Sequence, residues 1–416
     1  MSESPLAICG YCCNSGQHPF FVLKRESPER PPLETSHAAN THGGATPAQH
    51  ASRFTAVYRV TCPADRIAAR AEGIAVEQSV EMPLGAISSR QVLDEIVGQV
   101  EAVTELGHGQ FEVRVGLAVA TTGMEAGQLF NMLFGNTSMH PDVTLQDAFF
   151  PDEMLVAFGG PRHGLAGLRK RVGAGAYALT CSALKPQGSS ARELADLAGQ
   201  MARGGIDFIK DDHSLADQAY SPFAERVQRI AEAVCDARAS DGGRTSYLPS
   251  LSGNLDQLRR QVEIARAEGI DAVLIAPMVT GVAAFHTIVR ENPDIAVMTH
   301  PSMSGAARIA PPLLLGKLFR LLGADATVFP NHGGRFGYSP DECRALARAA
   351  LSPWGNFPAT VPVPAGGMTL DRVAEMLEFY GHDVIVLVGG GLLAAGDRLT
   401  EETAAFVDAV RRHHAA

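Results

Sequence analysis

Between Gly204 and His213 the chain reads GGIDFIKDDH, so that Lys210, Asp211, Asp212 and His213 follow directly on the apolar alternation of Ile206, Phe208 and Ile209. A structural ion pair does not require four ionisable residues in a row, and crowded titratable groups with shifted pKa values are what catalytic sites are built from. A desolvated lysine has a lowered pKa and can act as a base, form a Schiff base, or react with CO2 to give an anionic carbamate. Lysine is also scarce here: it occurs only at positions Lys24, Lys170, Lys185, Lys210 and Lys317, while arginine is used freely. Side chains alternate along a strand, so Phe208, Lys210 and Asp212 share one face and Asp211 points to the other. His213, at the strand's exit, can turn inward. Lys210, Asp212 and His213 could then gather around one metal ion. An unmodified ammonium cannot bind a cation, so that arrangement requires a carbamate on Lys210. The plainer alternative is that Lys210 only pairs with Asp211 or Asp212, as buried lysines commonly do.

The elements that must position these groups follow a regular beat. Short apolar strands are predicted at 178–185, 206–212, 246–252, 271–277, 295–301, 325–331, 359–366 and 383–391, separated by amphipathic segments such as RELADLAGQMARG and LDRVAEMLEFYG and closed by TEETAAFVDAVRRHH. Eight near-equal units over roughly 220 residues describe a (β/α)8 TIM barrel rather than an open doubly wound sheet, since no glycine-rich dinucleotide fingerprint follows the first strand. Active sites of this fold lie at the C-terminal ends of the strands. Those ends carry Lys185, Lys210 to His213, Ser252, Met278, His300, Asn331 with His332, Gly366 with Gly367, and Gly389 to Gly391. Ahead of the barrel, strands are predicted at 54–61, 76–82 and 111–121 and helices at 65–76 and 92–103, which makes a smaller α+β domain. The expected division is a flexible extension over 1–52, the α+β domain over 53–155 and the barrel over 156–416.

Composition bounds the partners. The chain has 416 residues, 46% of them hydrophobic, and a formal net charge of -10, with mean hydropathy +0.02. That charge disfavours nucleic acid or anionic membrane as the main partner. No run of about 18 apolar residues exists to span a membrane, and the N-terminus lacks a basic start followed by an apolar core, so a cytoplasmic protein is expected. The seven cysteines are too scattered for a disulfide framework. Cys9 and Cys12, with Cys13 and His18 nearby, have the spacing of half a zinc site, but no second spaced pair follows.

GGIDFIKDDH resembles the second-strand motif GGxDFxKDDE of the ribulose bisphosphate carboxylase large-chain superfamily, in which the lysine is carbamylated and binds Mg2+ with the last two acidic residues. GPRHG at 160–164, ALKP at 183–186, AEGIAVEQS, FGN at 134–136, AGG at 365–367 and VGGG at 388–391 match further family motifs, in order. The resemblance implies a ferredoxin-like N-terminal domain before the barrel. It makes Lys210 the carbamate ligand, Asp212 a metal ligand, Lys185 the lysine that handles protons during enolisation and His300 a substrate contact. Glu77 and Asn136 would reach the active site of a partner subunit, which implies a homodimer with shared sites. Gly366, Gly367, Gly389 and Gly390 would bind one phosphate through backbone N–H groups, a recurrent barrel site. Arg335 could hold a phosphate or carboxylate by paired hydrogen bonds.

The departures narrow the function. Gln187 stands where carboxylases have a second lysine, Pro301 and Ser304 follow His300, Thr327 and Phe329 replace a His pair, and Ala365 replaces a serine. These losses remove a second phosphate site and the machinery that traps CO2. The resemblance is therefore to RuBisCO-like proteins (form IV), not to carbon-fixing carboxylases. His213 in place of glutamate leaves the site one negative charge poorer and offers a nitrogen, which suits Mn2+, iron or zinc better than Mg2+. The alternative is that His213 works as a general acid or base. Enolate chemistry on a phosphorylated keto sugar is expected, with a lean toward decarboxylation or C–C cleavage of an apiose-type keto-acid phosphate. The alternatives are an isomerase or enolase of methylthio-sugar phosphate salvage, a metal-free Schiff-base aldolase using Lys210 or Lys185, and a binding protein without turnover.

Overall fold

The computed structural model describes residues 51–415. The expected extension, apart from residues 51 and 52, and the Cys9–Cys12 motif lie outside the described residues. The first described element is β1 (Arg53–Thr61), where the alternation FTAVYRVT places a strand. The inward residues Phe54, Ala56, Tyr58 and Val60 of β1 are buried. They pack with α1 (Ile67–Glu77) and, later in the chain, α2 (Ala126–Phe134), whose buried residues include Ile74 and Leu129. The Tyr58 hydroxyl donates to Leu133 O at 2.7 Å, which satisfies its one polar group inside that core.

β2 (Gln99–Gly107), β3 (Gln110–Ala118) and β4 (Val143–Phe149) complete an antiparallel sheet in the order β2-β3-β1-β4. With α1 after β1 and α2 after β3, this is the β-α-β-β-α-β arrangement of ferredoxin-like domains. Two local expectations are corrected. Residues 76–82, expected as a strand, are the end of α1 and the turn after it. Residues 92–103, expected as a helix, form one wide helical turn at Val92–Ile96 and then enter β2. Gly98 sits at that break, where a side chain would collide with the backbone of Ala75.

The expected boundary between 155 and 156 falls inside α3 (Asp152–Phe158), and residues 51 to 416 make one compact unit. The junction GPRHG then leads into α4 (Gly164–Val172). Gly164 has φ +52, and a Cβ there would lie 2.7 Å from Pro358 Cβ, so only glycine fits this close approach. The carboxylate of Asp325 accepts the N–H groups of His163 at 2.7 Å and Gly164 at 2.8 Å, and also that of Val297 at 2.9 Å. α4 is thereby pinned to the barrel, with Leu168 and Val172 packed on the barrel's interior cluster.

All eight expected barrel strands form: β5 (Leu179–Leu184), β6 (Phe208–Asp211), β7 (Ser246–Leu248) continued past Pro249 by β8 (Ser250–Leu251), β9 (Ala272–Ile275), β10 (Ala296–Thr299), β11 (Ala326–Pro330), β12 (Val361–Ala365) and β13 (Ile385–Leu387). They pair in parallel as β13-β5-β6-β7 and β8-β9-β10-β11-β12, and β12 lies beside β13 to close the ring. Helices cover the outside, among them α5 (Ala191–Arg203), α6 (Phe223–Asp241) and α7 (Leu255–Ala267). Ser190 and Glu193 cap α5 reciprocally, as Asn254 and Gln257 cap α7, so each helix start is fixed by its own sequence. Alternate residues such as Cys181, Phe208, Leu248, Leu274 and Met298 fill the barrel interior. Among the described residues no helix is long and apolar enough to cross a membrane.

Candidate active site

The register of β5 on β6 sets Ala183 opposite Lys210 and Leu184 opposite Asp211. Lys185, one residue past β5, therefore falls beside Asp212, one residue past β6. Its Nζ donates to Asp212 Oδ2. The other carboxylate oxygen of Asp212 meets His213 Nδ1 at 2.6 Å. Lys210 is only 3% exposed, on the interior face above Phe208. Its Nζ donates to Asp211 O at 2.9 Å, and among the described residues it forms no ion pair. Asp211 points outward, as the alternation predicts. It accepts from Arg226 Nε at 3.1 Å, the Tyr247 hydroxyl at 2.8 Å and Ser250 N at 3.0 Å, and both Asp211 and Arg226 are fully buried. The plain alternative of a Lys210–aspartate pair is thus absent, because each aspartate has another cation.

Electrostatics divides these groups. Burial pushes the Lys210 amine below the usual lysine range, against the pull of neighbouring acidic groups. For Asp212 burial acts upward but is outweighed by the hydrogen bonds from His213 and Lys185 and by the two lysine charges. Its carboxyl is held well below the ordinary range. His300, past the end of β10, is pushed down to about 2 by burial and by the positive charge of Lys210 and His213. Burial thus favours its neutral form. Ser302 N–H donates to His300 Nδ1 at 3.3 Å, so the ring's proton resides on Nε2. The rings of His213 and His300 stack with centroids 3.9 Å apart and planes 7° off parallel.

Above these groups opens a cleft of about 710 Å³. It is lined by Lys185, Lys210, Asp212, His213 and His300 on one side and by Arg335, Gly366, Gly367, Gly389 and Gly390 on the other. Gly366 and Gly367 have φ of +95 and +94, the left-handed region that glycine alone adopts freely. The backbone N–H of Arg335 donates to Gly366 O at 2.9 Å, and its guanidinium lies over the Phe336 ring at 5.6 Å. The site can hold an anion at the β12 and β13 ends while presenting an amine, a carboxylate and two imidazoles to the rest of the molecule bound there.

Not every strand end contributes. Ser252, Met278, Asn331 and His332 do not line the cleft. Asn331 is buried and accepts from the Tyr380 hydroxyl at 2.5 Å, while His332 packs on Phe379. Glu77 and Asn136 are joined, Asn136 Nδ2 donating to Glu77 Oε1 at 2.9 Å, and neither lines this chain's cleft. The sequence reading missed Met303, Phe336 and Tyr338, which do line it. The signal available for them was large apolar side chains in loops at the strand ends.

Residues 164–412 match the family model described as ribulose bisphosphate carboxylase large chain, catalytic domain. A relative named 5-methylthioribulose-1-phosphate isomerase, from Rhodospirillum rubrum, is 63% identical over 359 residues, covering 86% of this chain and 96% of the relative. The chain belongs to the ribulose bisphosphate carboxylase large-chain family, in its RuBisCO-like (form IV) branch. The crystal structure of a RuBisCO-like protein from Rhodopseudomonas palustris superposes with a TM-score of 0.81 at 55% identity, covering 86% of this chain and 97% of that one. A 2,3-diketo-5-methylthiopentyl-1-phosphate enolase from Geobacillus kaustophilus is 34% identical over 348 residues, covering 78% of this chain and 83% of the relative. These relatives favour the salvage isomerase and enolase alternatives over cleavage of an apiose-type keto-acid phosphate, which finds no support in them.

Family members of this kind imply a divalent metal. Among the described residues no three His, Cys, Asp or Glu side chains converge on one point. Asp212 and His213 supply two donors, and Lys210 sits next to them as a buried amine without an acidic partner. The donor set fits a metal once Lys210 carries a carbamate, whose oxygens replace an unsuitable cation with an anion.

Proposed function

We infer that this RuBisCO-like protein isomerises a methylthio-sugar phosphate of the 5-methylthioribulose 1-phosphate class by proton transfer next to the ketone. The 63% identity to the Rhodospirillum rubrum isomerase, over nearly the whole of that protein, carries this reading. The cleft supports it with one anion cradle and an amine beside the chemistry.

The phosphate binds at Gly366, Gly367, Gly389 and Gly390 with Arg335, which fixes the sugar along the cleft. Lys210 as its carbamate, Asp212 and His213 would hold a divalent ion such as Mg2+ or Mn2+, which when bound would supply Lewis-acid stabilisation of negative charge on the ketone oxygen. Lys185, as its free amine, takes the proton from the carbon beside the ketone and delivers it to the former carbonyl carbon, while the proton of the neighbouring hydroxyl passes to the former ketone oxygen. One C–H bond breaks and another forms, so the reaction needs no oxidant. The low pKa of Asp212 keeps its carboxylate charged opposite Lys185 throughout. His300, neutral with its proton on Nε2, donates a hydrogen bond to a substrate oxygen and takes no part as a base. Glu77 and Asn136, already joined to each other, serve the cleft of a second subunit in a homodimer.

The test is incubation of the purified protein with 5-methylthioribulose 1-phosphate in D2O, with bicarbonate and Mg2+ or Mn2+, followed by proton and phosphorus NMR. Isomer formation with deuterium on the former ketone carbon, abolished by chelator, is expected. Turnover that survives chelator, with borohydride trapping a lysine adduct, would replace this reading with the Schiff-base aldolase. Turnover of the diketo-methylthiopentyl phosphate alone would move the protein to the enolases.

A further inference from the structure

The positive charges of the cleft are unevenly placed. Apart from histidines, its cationic lining residues are Lys185, Lys210 and Arg335. Lys185 is tied to Asp212, Lys210 is buried, and Arg335 lies against the glycines: a Cβ on Gly367 would come within 3.1 Å of Arg335 Cγ. On the β10 side the wall is Pro301, Ser302, Met303, Ser304 and Gly305, without a charge. A second phosphate there would meet no cation.

That uncharged wall carries an apolar side chain held out to solvent. Met303 is 63% exposed, and Phe336, at 53%, is the other strongly exposed large apolar residue of the lining. Exposed apolar groups inside a cleft mark a surface that a ligand covers. The Met303 backbone is left-handed, with φ +64, a conformation side chains rarely adopt unless the surroundings impose it. The loop is fixed on both sides. Ser302 is tied to His300, Ser304 N donates to Pro301 O at 3.0 Å, and Ala306 N donates to Met303 O at 3.1 Å. The result is a flexible, polarisable thioether presented by a rigid turn next to His300.

We propose that Met303 is a specificity-determining residue: it covers the uncharged alkylthio end of a monophosphorylated ketose and selects such substrates over bisphosphates and over sugars without that tail. This rests on the function proposed above and assigns the far end of the same cleft.

The experiment compares kcat/KM for 5-methylthioribulose 1-phosphate and for 5-deoxyribulose 1-phosphate, which lacks the methylthio group, in the wild type, Met303→Ala and Met303→Leu. An apolar contact of this size is worth roughly tenfold in discrimination. The ratio of the two kcat/KM values should fall about tenfold in Met303→Ala, through KM on the methylthio substrate, and return in Met303→Leu. An unchanged ratio, or equal losses on both substrates, overturns the assignment. Calorimetric binding of pentyl phosphate and methyl phosphate reads the same subsite without turnover. The wild type should prefer pentyl phosphate and Met303→Ala should lose that preference. If the wild type turns over neither sugar but keeps the alkyl preference, the reaction is wrong and the subsite stands. If it turns over the sugar and shows no alkyl preference, the subsite is wrong and the reaction stands.

Discussion

The support under the lysine and aspartate is open to a direct test at Asp211. Its carboxylate lies with Arg226 in a fully buried pair and accepts three hydrogen bonds, from Arg226, Tyr247 and Ser250. In Asp211→Asn the amide keeps one oxygen for the Tyr247 hydroxyl or Ser250 N–H. Its NH2 group must then face a donor, and Arg226 is left as a buried charge without a counter-ion. Arg226 retains the carbonyls of Ser221 at 2.7 Å and Ala216 at 2.9 Å and the Phe223 ring, none of them an anion. Removing one partner of a buried pair costs about 3–5 kcal/mol, most of it the stranded charge. Replacing both members with uncharged groups of similar size removes that charge, so Asp211→Asn with Arg226→Met should lie within about 1.5 kcal/mol of the wild type. Urea unfolding followed by circular dichroism and fluorescence, with coincidence of the two probes checked first, measures both variants. A cost below about 1 kcal/mol for Asp211→Asn would refute the stranded-charge account. So would a double variant as unstable as the sum of the two single ones.

Three further outcomes are expected. The neutral amine reacts with CO2, and burial lowers the pKa of Lys210, so carbamate formation followed by 13C NMR should rise with pH and level off below the ordinary lysine value of about 10.5; Lys210→Gln should give no signal there, and a plateau only above that value would count against it. His300 is held down to about 2 and acts as a donor. His300→Asn should therefore lower kcat/KM by roughly 10²-fold, as loss of one such donor does, without removing either limb of the pH profile; a lost limb would make His300 a titrating base. Gly367→Ala sets a side chain at φ +94, 3.1 Å from Arg335 Cγ. Strain of this kind costs about 1–3 kcal/mol, so KM for the phosphorylated substrate should rise at least fivefold, and an unchanged KM would remove these glycines from the phosphate cradle.

The barrel was legible because its strands are buried on both faces. Apolar runs such as AVLI at 272–275 and AVMT at 296–299 then stand out against helical segments of even length. The N-terminal sheet was harder. β2 is an edge strand whose residues are mostly exposed, so it has no apolar alternation to read. Val92, Ile96, Val100 and Val103 happen to fall at helical spacing, but the chain breaks at Gly98, close against the backbone of Ala75, and from Gln99 pairs with β3 instead. At the site, alternation along β6 correctly separated Asp211 from Lys210 and Asp212. Which cation each aspartate takes was not legible, because Lys185 comes from β5 and Arg226 from α6. The stacking of His213 on His300 likewise depends on how far the ends of β6 and β10 lean together, which no local pattern encodes.

The separation of the two aspartates explains how one short strand can carry a reactive amine. A lysine buried next to a carboxylate normally gains a proton and an ion pair, and a protonated amine cannot add to CO2. Here both adjacent carboxylates are already engaged. Asp211 is turned outward onto Arg226, and Asp212 is held between Lys185 and His213. Lys210 is left with a single backbone carbonyl as its acceptor, so burial rather than charge pairing sets its pKa, in the direction of the free amine. Arg226 and Lys185 thus act on Lys210 without touching it. Neutralising Arg226 would free Asp211 only toward the helix layer, on the far side of the strand. Removing Lys185 would free an oxygen of Asp212 on the same face as Lys210. Of the two cations, Lys185 is therefore the one whose loss should return Lys210 to an ordinary, protonated lysine, and Lys185→Met should suppress carbamate formation on Lys210 as well as proton transfer.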